Sequence, residues 1–270
     1  MSQNKFATVL FLNLFIIIGC DEPMDDSAQS DGVNVTISTQ AQINSFGKTS
    51  IPGNLFIEGS DIADLTPLSI LTSVGGSLHI TENIELSNLD GLSNLTSVGK
   101  ELFIYGNPTL TNLDGLSSLT FVGLGLQIVE NDALTSLSIS SLTSLDGYLS
   151  IHRNASLTNL ANLNSLTVMG TGTLSITQNP TLTNLEGLAN LASVGGLRVE
   201  GNASLTNLNS LTNLTSVAYS LAINDNLVLN AFCGLYPLLN SGGLVGIYAV
   251  TDNLLNPSQQ QIIDDGPCVP

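Results

Sequence analysis

Few side chains in this chain could do chemistry, and their spacing scatters them. The only two histidines are His79 and His152, and five cationic residues stand against 22 acids. Acids recur in two settings. Asp90, Asp114 and Glu186 each precede a glycine, and Glu82, Glu130 and Asp225 each precede an asparagine. Carboxylates stacked on neighbouring units could share a calcium ion. The second row is interrupted by Gly106, Arg153, Gln178 and Gly201, so solvated turn acids are expected, with no metal and no cofactor. No H-E-x-x-H, G-x-S-x-G, P-loop or cysteine cluster occurs. A carbohydrate-processing enzyme, the competing class, needs several carboxylates or cations converging in one groove. Only Arg153 and Arg198 are available on the strand-like segments, so no catalytic residue is assigned and an enzyme is not expected. Phe103 and Tyr105, with His79 nearby, have recognition chemistry instead: exposed aromatic rings that stack on a sugar or anchor a protein loop.

The segment that must position these residues repeats. L-x-[IV]-x-x-N ends at Asn83, Asn107, Asn131, Asn154, Asn179, Asn202 and Asn226, with gaps of 24, 24, 23, 25, 23 and 24 residues. Degenerate copies end at Ser60 and Asn253. Self-similarity at a fixed period means a solenoid, in which each unit buries its apolar face only against its neighbours. Within a copy, Leu78 and Ile80 alternate with His79 and Thr81, which sends the first pair inward and the second outward. The asparagine has donors and an acceptor and can satisfy backbone groups buried in the turn while bonding its counterparts. A structural asparagine ladder is expected.

The remainder of each unit carries an apolar residue at every third position, as in Leu86, Leu89, Leu92, Leu95 and Val98. A three-residue step drifts around an α-helix, and the intervening Ser, Asn, Asp, Gly and Thr are poor helix formers. Short 3₁₀ turns and brief strands are expected. The unit LTSLSISSLTSLDG, within Leu134–Leu149, lacks the Ser-Val-Gly turn, so irregularity is expected there. Thr111, Thr135, Thr158, Thr183 and Thr206 align with Ser87. Ice-binding solenoids display such rows, but the paired T-x-T strand is missing and turn hydrogen bonding accounts for the threonines.

The outward strand positions form one strip: His79, Thr81, Phe103, Tyr105, Gln127, Val129, Ser150, His152, Ser175, Thr177, Arg198 and Glu200. The candidate binding face on it is His79, Phe103, Tyr105, His152 and Arg198, with both histidines expected to be solvated.

The pattern LTSVGGxLxIxxNxxLxxLDGLxxL resembles receptor L domains, and more closely the L-domain-like lipoproteins of Bacteroidetes. The resemblance covers residues 55–228 and implies a single, mainly β, parallel solenoid used for binding. A leucine-rich-repeat horseshoe ranks second, because its repeat is stricter.

The flanks carry the address. Residues 1–19 read as an export signal, with Lys5 ahead of an apolar run too short to span a bilayer. Ile17-Ile18-Gly19-Cys20 resembles the bacterial lipobox, which implies acylation of Cys20, a membrane anchor and outer-membrane localisation. Residues 20–31 are acidic and polar, a tether resembling surface-export signals. Without residues 1–19 the chain carries 4 basic and 22 acidic residues, a net of −18, which disfavours nucleic acid and anionic lipid as partners. A surface glycan or protein ligand remains.

Residues 32–54 read as an N-terminal cap: a strand in 32–38, then a short helix over 39–47 covering the first coil with Ala41, Ile43 and Phe46. Residues 229–270 read as a C-terminal cap. It has a last strand near 246–251 and a helix begun by Asn256 as cap and Pro257 at its first position, ending at Gly266. Cys233 and Cys268 lie outside the repeats of an exported chain, where a disulfide is the default reading and two free thiols the alternative.

Overall fold

A computed structural model describes residues 32–268. The segments read as an export signal (1–19) and a tether (20–31), with Cys20, lie outside the described residues. The strands follow in chain order: β1 (Val35–Ile37), β2 (Ser50–Ile51), β3 (Leu55–Ile57), β4 (Ser73–Val74), β5 (Leu78–Thr81), β6 (Ser97–Val98), β7 (Glu101–Tyr105) and β8 (Phe121–Val122). They continue as β9 (Gly125–Val129), β10 (Ser144–Leu145), β11 (Tyr148–His152), β12 (Val168–Met169), β13 (Thr173–Thr177), β14 (Ser193–Glu200), β15 (Ser216–Asn224) and β16 (Ile247–Thr251). Three short helices are α1 (Gln40–Asn44), α2 (Tyr236–Asn240) and α3 (Gln259–Asp265).

The protein is a mainly β, parallel solenoid. A broad sheet runs in the order β1-β3-β5-β7-β9-β11-β13-β14-β15-β16, and all its pairings are parallel. Register follows the repeat: Leu78 pairs with Leu102 and Ile80 with Ile104, then Leu102 with Leu126. A narrow second sheet is built from two-residue strands, β2-β4-β6-β8. It stops at β8. The next coil, the one lacking the Ser-Val-Gly turn, starts a separate row through β10 and β12 that joins the first residues of β14. That same coil places Ser138 at φ 46°.

The third side of the prism is a stack of 3₁₀ turns such as Asp90–Leu92, Asp114–Leu116 and Glu186–Leu188. The three-residue apolar step suits a helix of three residues per turn. Asn88, Asn112 and Asn184 prepare these turns, each accepting from the backbone N–H two residues on at 3.0–3.1 Å. This second asparagine row is an Asx-type cap. The glycine after each acid permits stacking: a Cβ on Gly91, Gly115 or Gly187 would run into the carbonyl oxygen of Leu65, Leu89 or Leu160 on the preceding coil. Inward residues, among them Leu78, Ile80, Leu86, Leu89, Leu92 and Leu95, form one continuous core at 0 % exposure. Each buried Leu or Ile contributes about 2 kcal/mol.

Both ends are closed. At the N-terminus α1 is shorter than the expected 39–47 helix. Thr39 caps it in a capping box with Gln42, and it is terminated by Ser45. Ile43 is fully buried and Phe46 half-buried, but Ala41 is exposed and covers nothing. The correction follows from the helix's length: five residues turn one face inward. At the C-terminus, Ser258 rather than Asn256 caps α3, again in a capping box, with Gln261. Asn256 is occupied elsewhere, accepting from Asn253 N–H at 2.9 Å and Asn253 Nδ2 at 3.1 Å. A disulfide joins Cys233 to Cys268 across 35 residues. Among the described residues no helix is long and apolar enough to cross a membrane.

Candidate functional site

The asparagine ladder runs the length of the broad sheet. Asn83, Asn107, Asn131, Asn154, Asn179, Asn202 and Asn226 are all fully buried. Asn107 to Asn226 each accept through Oδ1 from the backbone N–H of the preceding rung, at 3.0–3.2 Å, and Asn83 accepts from Gly59 N–H at 3.0 Å. Nδ2 donates to a strand carbonyl of the preceding coil, as Asn131 does to Ile104 O at 3.1 Å. Asn253 and then Asn256 continue the series, so Asn256 serves as a rung with no coil beneath it. The residue before each rung sits in the left-handed region, from Glu82 at φ 55° to Asp252 at φ 57°, with glycine at positions 106 and 201. These groups consume their hydrogen-bonding capacity internally and offer none to a ligand.

The outward face of the broad sheet is different. On its N-terminal half, aromatic rings form a continuous row. Phe56 and His79 lie 5.0 Å apart, His79 meets Phe103 edge-on at 5.6 Å, and Phe103 stacks on Tyr105 at 5.6 Å with 13° between planes. All four are half-buried. The row exists because register aligns one outward position on three strands, Phe56 with His79 and His79 with Phe103. Phe56 escaped the sequence reading; its degenerate copy, LFIEGS, carried the signal. Burial lowers the His79 pKa, opposed by the Glu101 carboxylate, while burial and then the acids Glu130 and Glu82 raise that of Tyr105.

In the middle of the face the expected outward strip is covered, and His152 is not solvated. His152 is only 4 % exposed, and Gln127, Val129, Ser150 and Thr177 are also buried. Parallel strands are about 4.8 Å apart, and His152 is packed between its register partners Val129 and Thr177. His152 is therefore not a solvated surface residue and does not belong to the reachable face. Its Nδ1 lies 2.7 Å from Thr177 Oγ1, and its Nε2 is buried without a partner. Burial first, then the nearby Arg153 guanidinium, lowers its pKa to about 4, which keeps the ring neutral near pH 7.

Beside it, Tyr148 lies over Gly125, where a Cβ would touch its ring. Its hydroxyl donates to Glu101 Oε1 at 2.6 Å, and Gln127 Nε2 donates to both Glu101 and the Tyr148 oxygen. Beyond Tyr148 the surface dips. A hollow of about 230 Å³ is lined by Asp146, Tyr148, Ser150, Thr173, Ser175 and Arg198, among others. Arg198 stays half-exposed, its guanidinium held on Glu200 Oε2 at 2.7 and 2.9 Å. Of the five residues proposed for the face, His79, Phe103 and Tyr105 come together, Arg198 borders the hollow, and His152 is covered. Among the described residues no three His, Cys, Asp or Glu are placed to hold a metal ion.

Fold and face together define a class: a leucine-rich parallel β-solenoid that turns its broad sheet outward. Residues 49–159 match the family model of the Receptor L domain. The same coil architecture continues past the matched segment to β16. No curated protein matches the chain.

Proposed function

We propose that the chain is a non-catalytic recognition or adhesion module, held at a bacterial outer-membrane surface by lipid on Cys20, with the outward face of the broad sheet as its contact surface. The observation carrying this reading is the Phe56–His79–Phe103–Tyr105 row. Four partly exposed rings in contact form an amphipathic, low-entropy surface of the kind that dominates binding energy. Nothing in the core requires them, since the inward positions of the same strands are aliphatic. The net negative charge points to a glycan or protein ligand rather than a nucleic acid.

Two experiments test the two halves. Glycan-array and surface pull-down screening supply a ligand, and the Phe103→Ala/Tyr105→Ala double variant is expected to lose its binding with an unchanged melting transition. Undiminished binding removes the aromatic row from the reading. Metabolic labelling with a palmitate analogue is expected to tag the wild-type chain and not Cys20→Ser. Equal labelling of both refutes the anchor.

A further inference from the structure

We propose that the hollow over β11, β13 and β14 is a subsite for one uncharged pyranose residue of a glycan. The inference rests on the reading of the broad sheet as the binding face and adds the chemistry of the ligand.

The hollow arises from a run of short side chains. One row of register partners crosses the face as Phe103, Gln127, Ser150, Ser175 and Arg198. Ser150 and Ser175 lie low between Gln127 on one side and Arg198 on the other, with Tyr148 and Thr173 along the border. Its volume, about 230 Å³, suits one sugar ring and not an extended protein loop. Four Ser and Thr hydroxyls line it, those of Ser150, Thr171, Thr173 and Ser175, and each both donates and accepts. A pyranose presents the same duality around its ring. Arg198 adds donors and Asp146 adds acceptors.

The walls are held before any ligand arrives. Tyr148 is tied to Glu101 and Gln127, and Arg198 to Glu200. Fixed walls reduce the ordering cost that weakens most polar sites.

Charge selects against acidic sugars. The Arg198 cation is balanced by Glu200 at 2.7 Å, Asp146 adds a further carboxylate to the lining, and the whole chain carries −17. A uronate or sulfated sugar would meet net negative potential. The placement also fixes a direction. Ser175 lies three strand spacings from Phe103, about 14 Å, so a glycan lying across the strands puts one residue in the hollow and another against the aromatic row.

The test uses the isotopically labelled full-length chain and defined trisaccharides: mannotriose, cellotriose and maltotriose as neutral probes, trigalacturonate as the acidic one. At least one neutral probe is expected to shift the Ser150 and Ser175 amide and Arg198 Nε–H resonances. Ser175→Phe, which fills the hollow from outside the core, should weaken that binding about tenfold or more, and Arg198→Gln should also weaken it. Melting transitions should match the wild type. The proposal is overturned if no neutral probe shifts these resonances, if trigalacturonate binds more tightly, or if both variants bind as wild type. Shifts confined to Phe56, His79, Phe103 and Tyr105, abolished by Phe103→Ala/Tyr105→Ala but not by Ser175→Phe, overturn the subsite and leave the binding face standing.

Discussion

Asn131 accepts through Oδ1 from both the backbone N–H and the Nδ2 of Asn107 and donates through Nδ2 to the carbonyls of Ile104 and Val129. Replacing it by alanine strands several buried polar groups at once. Each unsatisfied group costs about 1–3 kcal/mol, so Asn131→Ala should lose about 3 kcal/mol or more, measured by urea unfolding. The residue ahead of each rung is under the opposite pressure. Asp225 is exposed, at φ 56°, a conformation that costs L-residues about 1–2 kcal/mol. Asp225→Gly should therefore raise stability, by about 1 kcal/mol, where the same change in a strand interior would lower it. His152 sets a pH dependence. Its folded pKa of about 4 lies below its ordinary value of 6.5, so between those values the unfolded chain binds more protons. Stability contributed by the neutral ring is complete above pH 6.5 and is lost as pH falls toward 4, by up to about 3 kcal/mol. The His152→Phe chain should lose that part of the slope in denaturation curves taken from pH 7 to 4.

The elements are short because each is a side of one coil, and the contacts between coils decide which residues they tolerate. Gly115 is tightly constrained on the 3₁₀ side, since a Cβ there runs into the Leu89 carbonyl. Gly115→Ala should destabilise the chain by about 3 kcal/mol, the range of severe overpacking, whereas Gly47→Ala, with open space around it, should be close to neutral. Unfolding monitored by circular dichroism separates the two. The apolar three-residue step of the sequence anticipated this 3₁₀ side. The second asparagine row, Asn88, Asn112 and Asn184, was equally periodic in the sequence, yet its role depends on a turn whose geometry follows from stacking. The helix boundaries were the least legible part. Asn256-Pro257 has the composition of a helix start, but the open end of the ladder supplies Asn256 with a better set of partners, and Ser258 takes the cap.

At the scale of the whole molecule, stability in a solenoid is a sum of neighbouring-coil interfaces, so the ends are its weak points. Tying Cys268 to Cys233 constrains α3 across the last coils. Closing a loop of 35 residues contributes about 3–4 kcal/mol in the chain-entropy description. Reduction, or Cys268→Ser, should speed amide exchange in residues 229–268 and leave β5 to β9 protected. Unchanged exchange in the last two coils would contradict this account of the cap. The aromatic row lies toward the opposite end of the face, so ligand binding there should survive reduction.

The sequence by itself determined that successive copies lie side by side in register, because inward leucines and isoleucines repeating every 23 to 25 residues can be buried only against the next copy. It also marked the buried asparagines, whose spacing is that of the coils. Only the tertiary structure decided which outward side chains a ligand can reach. His152 and Arg198 look alike in the repeat, yet one is packed between Val129 and Thr177 and the other, between Ser175 and Ala222, borders a hollow, because the period leaves the outward residues of neighbouring coils free to vary. The Tyr148–Glu101 bond, 47 residues long in sequence, skips a coil across Gly125 for the same reason: core burial enforces the inward pattern, and nothing comparable enforces the outward one.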